Sequence, residues 1–151
     1  MELRIAAFAP QSPIPSRFTG DGTDLSPALS WTGVPEAAQA LALVVDDPDA
    51  PVGLWVHWVL YDLPCETREL AENQPRTPTL PNGANQGKNS WGRLGYNGPA
   101  PPPGKPHRYY FKLYALAAPT GLAAGASQAE LERAMDGKLL AECQWMGTYR
   151  R

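Results

Sequence analysis

Residues 107–116, HRYYFKLYAL, alternate in character along their length. Successive side chains of an extended chain point to opposite sides. His107, Tyr109, Phe111 and Leu113 then share one face, and Arg108, Tyr110, Lys112 and Tyr114 share the other. The pattern predicts a strand. A second strand is predicted from Leu54 to Asp62, with His57 on the face of Trp55, Val59 and Tyr61. The β-branched run from Ala40 to Asp46 is too short for a helix and reads as a third. LRIAAFA (3–9) and ALSW (28–31) predict shorter strands. Only SQAELERAMDG (127–137) carries a clear helical period, with Leu131, Ala134 and Met135 on one face. Ser127 and Glu130 form a capping-box pattern there, and Gly137 stands where a C-cap glycine belongs. The tail LLAECQWMGTYRR predicts a last short helix or strand.

Composition supports this picture. The chain has 17 prolines and 14 glycines in 151 residues, which disfavours a helical bundle because proline breaks helix interiors. The expectation is a mostly β protein with short helices near the C-terminus. Its length suits one domain, residues 1–151. A formal net charge of -2, with scattered Lys and Arg, offers no positive field for nucleic acid. Cys65 and Cys143 have neither CxxC nor finger spacing, so they are expected as two reduced thiols. The N-terminus lacks a long apolar leader and no run approaches a membrane span, so a cytoplasmic protein is expected.

Candidate chemistry gathers around DDPDAP, where Asp46, Asp47 and Asp49 crowd between apolar runs. Pro48 biases Asp47 toward extended backbone, and in an extended chain Asp47 and Asp49 project to the same side. A polar turn capping local amides explains the same residues equally well. The only two histidines, His57 and His107, sit beside unusual segments. One follows DDPDAP and the other ends GPAPPPG-KP, a stiff polyproline-like piece suited to a pocket wall. The long connection from Asn73 to Pro106 contains Trp91, Leu94 and Tyr96, which predict that it packs on the body of the domain.

DPDAP with WVHW downstream, then GPAPPPG with HRYYF, resembles the phosphatidylethanolamine-binding protein family. FTGDGTDLSPALSWTGVP and ERAMDGKLLAECQWMGTY resemble its small bacterial branch, the Raf kinase inhibitor-like proteins. The resemblance implies an antiparallel β-sandwich with Greek-key character and a small anion pocket at one end. It assigns the pocket to Asp47, Asp49, His57, His107 and Tyr109, with Pro51, Gly98 and Pro99 shaping its rim. The implied ligand is a phosphate-like anion or phospholipid head group, bound without a cofactor. Regulation of a kinase or other protein partner, and a homodimer, are further implications. Gly20 and Ala100 depart from the family's frequent cysteines, and Lys138 from a common histidine. The aspartates are expected to hold the imidazoles, so that both histidines, with the Tyr109 hydroxyl, donate hydrogen bonds to the anion. An alternative is a metal-dependent hydrolase in which the two histidines and two carboxylates bind iron or zinc. The chain has no HExxH motif and no GxSxG elbow.

Overall fold

The run from Ala40 to Val45 shows no polar alternation because both of its sides are covered. A computed structural model describes residues 1–151 and places this run in the strand Ala40–Asp47, every residue of which is buried. In chain order the strands are β1 (Glu2–Arg4), β2 (Leu29–Thr32), β3 (Ala40–Asp47), β4 (Trp55–Pro64), β5 (Glu69–Leu70), β6 (Asn85–Gln86), β7 (His107–Leu116) and β8 (Leu139–Tyr149). Helix α1 spans Gln128–Met135, between β7 and β8. The strands form two antiparallel sheets, ordered β1-β2-β5 and β6-β4-β3-β7-β8. In the larger sheet β7 lies beside β3, on the side away from β4 and β6, which is the return of a Greek key.

The two sheets pack face to face. Leu3, Leu29 and Trp31 from the small sheet meet Leu41, Leu43, Val45, Trp58, Leu60, Phe111 and Leu113 from the large one. On the outer side of the large sheet, Ala42, Val44, Val59 and Tyr61 are covered by Leu131 and Met135 of α1. The capping box at Ser127 and Glu130 is formed in both directions. No helix is long and apolar enough to cross a membrane.

Three differences from the sequence expectations have physical causes. The entry strand is only three residues long, because the chain turns at Ala6 and Ala7 to bring Phe8 into the core. One helix, not several, lies near the C-terminus; the other helical segment is a 3-10 turn at Ser16–Phe18. The tail is the longest strand of all, β8, and much of it is half-exposed. Cys65 and Cys143 are free thiols.

Candidate functional site

β3 and β4 place the site through an irregularity. Val45 pairs with Trp58, but the next residue, Asp46, pairs with Val56, so His57 is an extra residue on β4. A bulge of this kind bends the strand and re-aims side chains. Strict alternation puts His57 with Val59 and Tyr61, yet those two pack under α1. His57 instead lies edge-on against Tyr109, at 5.2 Å and 84°, on the side of the sheet where Trp58 joins the inter-sheet core.

The crowded aspartates divide among three basic partners. Asp46 is 1% exposed on the outer side of β3 and pairs with Lys112 Nζ at 3.0 Å. Burial pushes its carboxyl above the usual range, against the pull of Lys112. Asp47 points the other way, and its Oδ2 accepts from His107 Nδ1 at 2.7 Å. Asp49 does not accompany it. The Asp49 amide donates to Asp47 Oδ1 at 2.7 Å, a local turn that ends the extended backbone. Asp49 is thereby turned onto Arg108, accepting from its Nε, Nη2 and backbone N–H. The side-chain hydrogen bonds from Arg108 hold its carboxyl down at about 2. The expected projection of Asp47 and Asp49 to one side is thus broken by a turn that Asp47 itself closes.

A cavity of about 280 Å³ is lined by Asp47, Ala50, Pro51, Val52, Trp55, His57, Trp91, Ala100, Pro101, Pro102, His107 and Tyr109. Of the expected pocket residues it gathers Asp47, Pro51, His57, His107 and Tyr109. Asp49, Gly98 and Pro99 are not among its lining residues. Gly98 stands behind the wall, where a Cβ would come 2.1 Å from the Phe18 carbonyl oxygen. The Pro99 carbonyl accepts from Gly20 N–H at 2.8 Å. Gly20 and Ala100 face each other, an added Cβ at Gly20 falling 3.1 Å from that of Ala100. A larger groove of about 640 Å³ runs between β1 and β8 past Phe8, Trp31 and Trp145, and holds no histidine.

The two imidazoles are held differently. His107 donates from Nδ1 to Asp47 and stacks at 21° on Tyr109. His57 is held by no aspartate; its Nδ1 lies 2.6 Å from the Asn97 carbonyl oxygen. A carbonyl only accepts, so the proton sits on Nδ1. Each ring is left with Nε2 for a ligand. Asn97 is itself fixed: its Oδ1 accepts from Asn89, its Nδ2 donates to Asp24, and the next amide, Gly98 N–H, donates to Asp24 Oδ1 at 2.7 Å. Arg76 ties Asp24 to the Tyr96 carbonyl. Sequence reading missed Asn97, Asp24, Asn89 and Trp55. Of these, only Trp55 carried a signal, as an aromatic on the predicted face of His57.

Burial pushes the His57 pKa below its ordinary 6.5. Below that pH the unfolded chain takes up a proton at this residue before the folded chain does. Stability from this source is therefore whole above pH 6.5 and falls as pH drops from there toward the folded value. Urea titrations at several pH values should show wild-type protein losing more stability below pH 6.5 than His57→Gln loses. Parallel losses in the two proteins would assign the acid sensitivity elsewhere.

Comparison with known proteins bears on this geometry. Residues 4–150 match the family model described as Phosphatidylethanolamine-binding protein. The chain is 49% identical over 151 residues to a UPF0098 protein of Methanothermobacter thermautotrophicus, covering all of this chain and 99% of that one. It is 46% identical over 153 residues to a UPF0098 protein of Aquifex aeolicus, covering 89% of it. Among solved structures it is similar to a phosphatidylethanolamine-binding protein homologue of Chlamydia trachomatis, with TM-score 0.91, 39% identity and coverage of 99% of this chain and 97% of that one. It is similar also to YbcL of E. coli, described as a member of the mammalian PEBP family, with TM-score 0.92, 31% identity and coverage of 99% and 98%.

Proposed function

The chain belongs to the phosphatidylethanolamine-binding protein family, and from that premise we propose that its His57/His107 cavity binds a phosphate-like anion, such as a phospholipid head group. The observation that carries the reading is the pair of imidazoles on one cavity, each with Nδ1 committed and Nε2 spare. Tyr109 lies between them and keeps its proton, since burial raises its pKa far above neutrality. Its hydroxyl is a third candidate donor. Val52 is 78% exposed and Trp91 37% exposed at the cavity, an apolar rim that suits the glycerol and acyl end of a lipid. The free thiols suit a reducing compartment such as the cytoplasm.

The site revises the expectation that both histidines donate. A neutral His57 with its proton on Nδ1 presents a lone pair at Nε2. A phosphomonoester monoanion can donate its own hydrogen to that lone pair, whereas a dianion requires Nε2 to be protonated. Phosphomonoesters lose their second proton at a pKa of about 6. Above that pH, binding takes up a proton by either route. Calorimetry with phosphoethanolamine at pH 7.5, in buffers of different ionisation enthalpy, should report that uptake, and affinity should weaken as pH rises. Proton release on binding would overturn this arrangement. His107→Ala should cost about 1.5–3 kcal/mol of binding, the worth of a charged hydrogen bond, or roughly 10- to 150-fold in Kd. Unchanged affinity would remove His107 from the site. Binding should persist in EDTA, and its complete loss there would favour the hydrolase reading. The withdrawal of Asp49 to Arg108 takes one of four groups from that alternative constellation, and no three His, Cys, Asp or Glu side chains are spaced for a metal ion.

A further inference from the structure

Four residues other than glycine hold a left-handed backbone: Gln11, Asp24, Asp62 and Asn73. Such backbone costs free energy outside glycine, and it persists where the surroundings over-determine it, often beside a functional site. Asp24, at φ 62°, is the one of the four that bonds to the peptide behind His57. Its Oδ1 accepts from Gly98 N–H at 2.7 Å. The carbonyl of that same peptide unit, Asn97 C=O, accepts from His57 Nδ1 at 2.6 Å. The chain has no cis peptide bond, so these two groups point in opposite directions. A carboxylate, a peptide and an imidazole thus stand in one line. The line depends on glycine at 98, where a Cβ would lie 2.7 Å from Asp24 Oδ1. It is also braced. Asn97 Nδ2 donates to Asp24 Oδ2, Asn97 Oδ1 accepts from Asn89, and Arg76 Nη2 lies 3.5 Å from Asp24 Oδ2.

We propose that Asp24 is a positioning residue for the cavity, acting on His57 through the Asn97–Gly98 peptide, a role that rests on the anion reading of that cavity. A hydrogen bond from an N–H to a carboxylate polarises the amide and leaves its carbonyl oxygen a stronger acceptor. That acceptor keeps the proton on His57 Nδ1 and makes Nε2 more basic. His107 has its carboxylate in direct contact, at Asp47. His57 has one at the far end of a peptide. Basicity matters at His57 because its Nε2 either takes the proton of a phosphate monoanion or must already carry one for a dianion. The groups that face His57 are few. β3 brings Asp47, and β7 brings Tyr109 with His107 beyond it. Asp24 is the second carboxylate, with Arg76 as its counter-charge. Burial opposes the charged ring most strongly, and both carboxylates act against it. Asp47 is already bonded to His107, so Asp24 is the carboxylate given over to His57.

Nitrogen-15 spectra of imidazoles separate the two tautomers, and with only two histidines each ring is resolved. In ligand-free wild type, neutral His57 should carry its proton on Nδ1. Asp24→Asn keeps an acceptor for Gly98 N–H and tolerates left-handed backbone, so the fold persists while the charge is lost. Its His57 midpoint should fall, with the His107 signals unmoved. Phosphoethanolamine affinity at pH 7.5 should weaken by about tenfold, the lower end of what the second partner of a ligating histidine is worth at metal sites. The decline of affinity with rising pH should begin at a lower pH than in wild type, whereas a purely structural defect would weaken binding equally at every pH. Asp24→Gly adopts φ 62° without strain and removes the carboxylate altogether, so part of the His57 population should move its proton to Nε2. An unchanged His57 tautomer and midpoint in both variants would overturn the proposal. If wild type binds no phosphoethanolamine, the anion reading fails and this role fails with it. If wild type binds and both variants match it at every pH, the anion reading stands and the role of Asp24 alone is overturned.

Discussion

Asp47→Ala is expected to lose about 3–5 kcal/mol of folding stability, the usual cost of removing one partner from a buried, hydrogen-bonded pair. The Asp47 side chain is 4% exposed and that of His107 is 11% exposed, so little water can replace the carboxylate. The substitution also removes the acceptor for the Asp49 amide, which closes the turn after β3. Domains of this kind are stable by only about 5–15 kcal/mol, so the loss is a large fraction of the total. It should lower Tm by roughly 10 °C or more. Phosphoethanolamine binding should fall with it, since Asp47 is the one hydrogen-bond partner of the His107 ring, which is left with only its stacking on Tyr109. Asp47→Asn separates the two roles. Its amide oxygen still accepts from Asp49 N–H, so the turn survives, while its hold on the imidazole is altered. Urea unfolding of both variants decides the matter. If Asp47→Ala unfolds within about 0.5 kcal/mol of wild type, a range ordinary for surface substitutions, the pair is not a structural element.

Trp58→Ala should cost a similar amount, about 3–5 kcal/mol, from lost burial and the cavity left behind. Trp58 is fully buried, stands edge-on to Tyr96 at 5.7 Å, and donates from its indole nitrogen to Gln86 Oε1. Gln86 in turn donates to the carbonyls of Pro75 and Thr77. The Tyr96 hydroxyl donates to Phe18. Truncating one indole thus loosens two anchors of the long connection from Asn73 to Pro106, which supplies Asn97, Trp91 and the proline wall. Ligand affinity should drop although the substituted residue does not line the cavity. Hydrogen exchange would show amides of residues 85–98 opening faster in the variant. Exchange unchanged there would mean that the loop is anchored elsewhere.

The central strands were legible because their burial leaves a trace in the residue types. β7 alternates, β4 is rich in aromatic and β-branched residues, and β3 is too short and too branched for a helix. α1 was legible from its cap as much as from its period. β8 was legible only as one of two alternatives, a short helix or a strand, because an edge strand that is half-exposed on both sides imposes no strict pattern: Leu139 and Leu140 are exposed while Cys143 packs against the core. The site was partly legible. His107 and Tyr109 fell on the predicted face because β7 is regular there. Asp49 was misplaced because a two-residue side-chain-to-backbone bond leaves the same letters as an extended pair. Asp24 and Asn97, 73 positions apart and joined by one hydrogen bond, are ordinary polar residues in turn-rich sequence.

The bulge at His57 sets a phase boundary within one strand. On its early side, odd-numbered positions look toward the cavity; on its late side, as far as Tyr61, even-numbered positions fill the core and odd ones lie beneath the helix. A regular β4 would have to choose, because aligning Trp58 and Leu60 with the core would send Trp55 to the wrong face. The pocket and the hydrophobic interior therefore share a strand only through one surplus residue. Point substitutions at position 57 change what the surplus residue can do, but deletion of it would change what every residue before it faces.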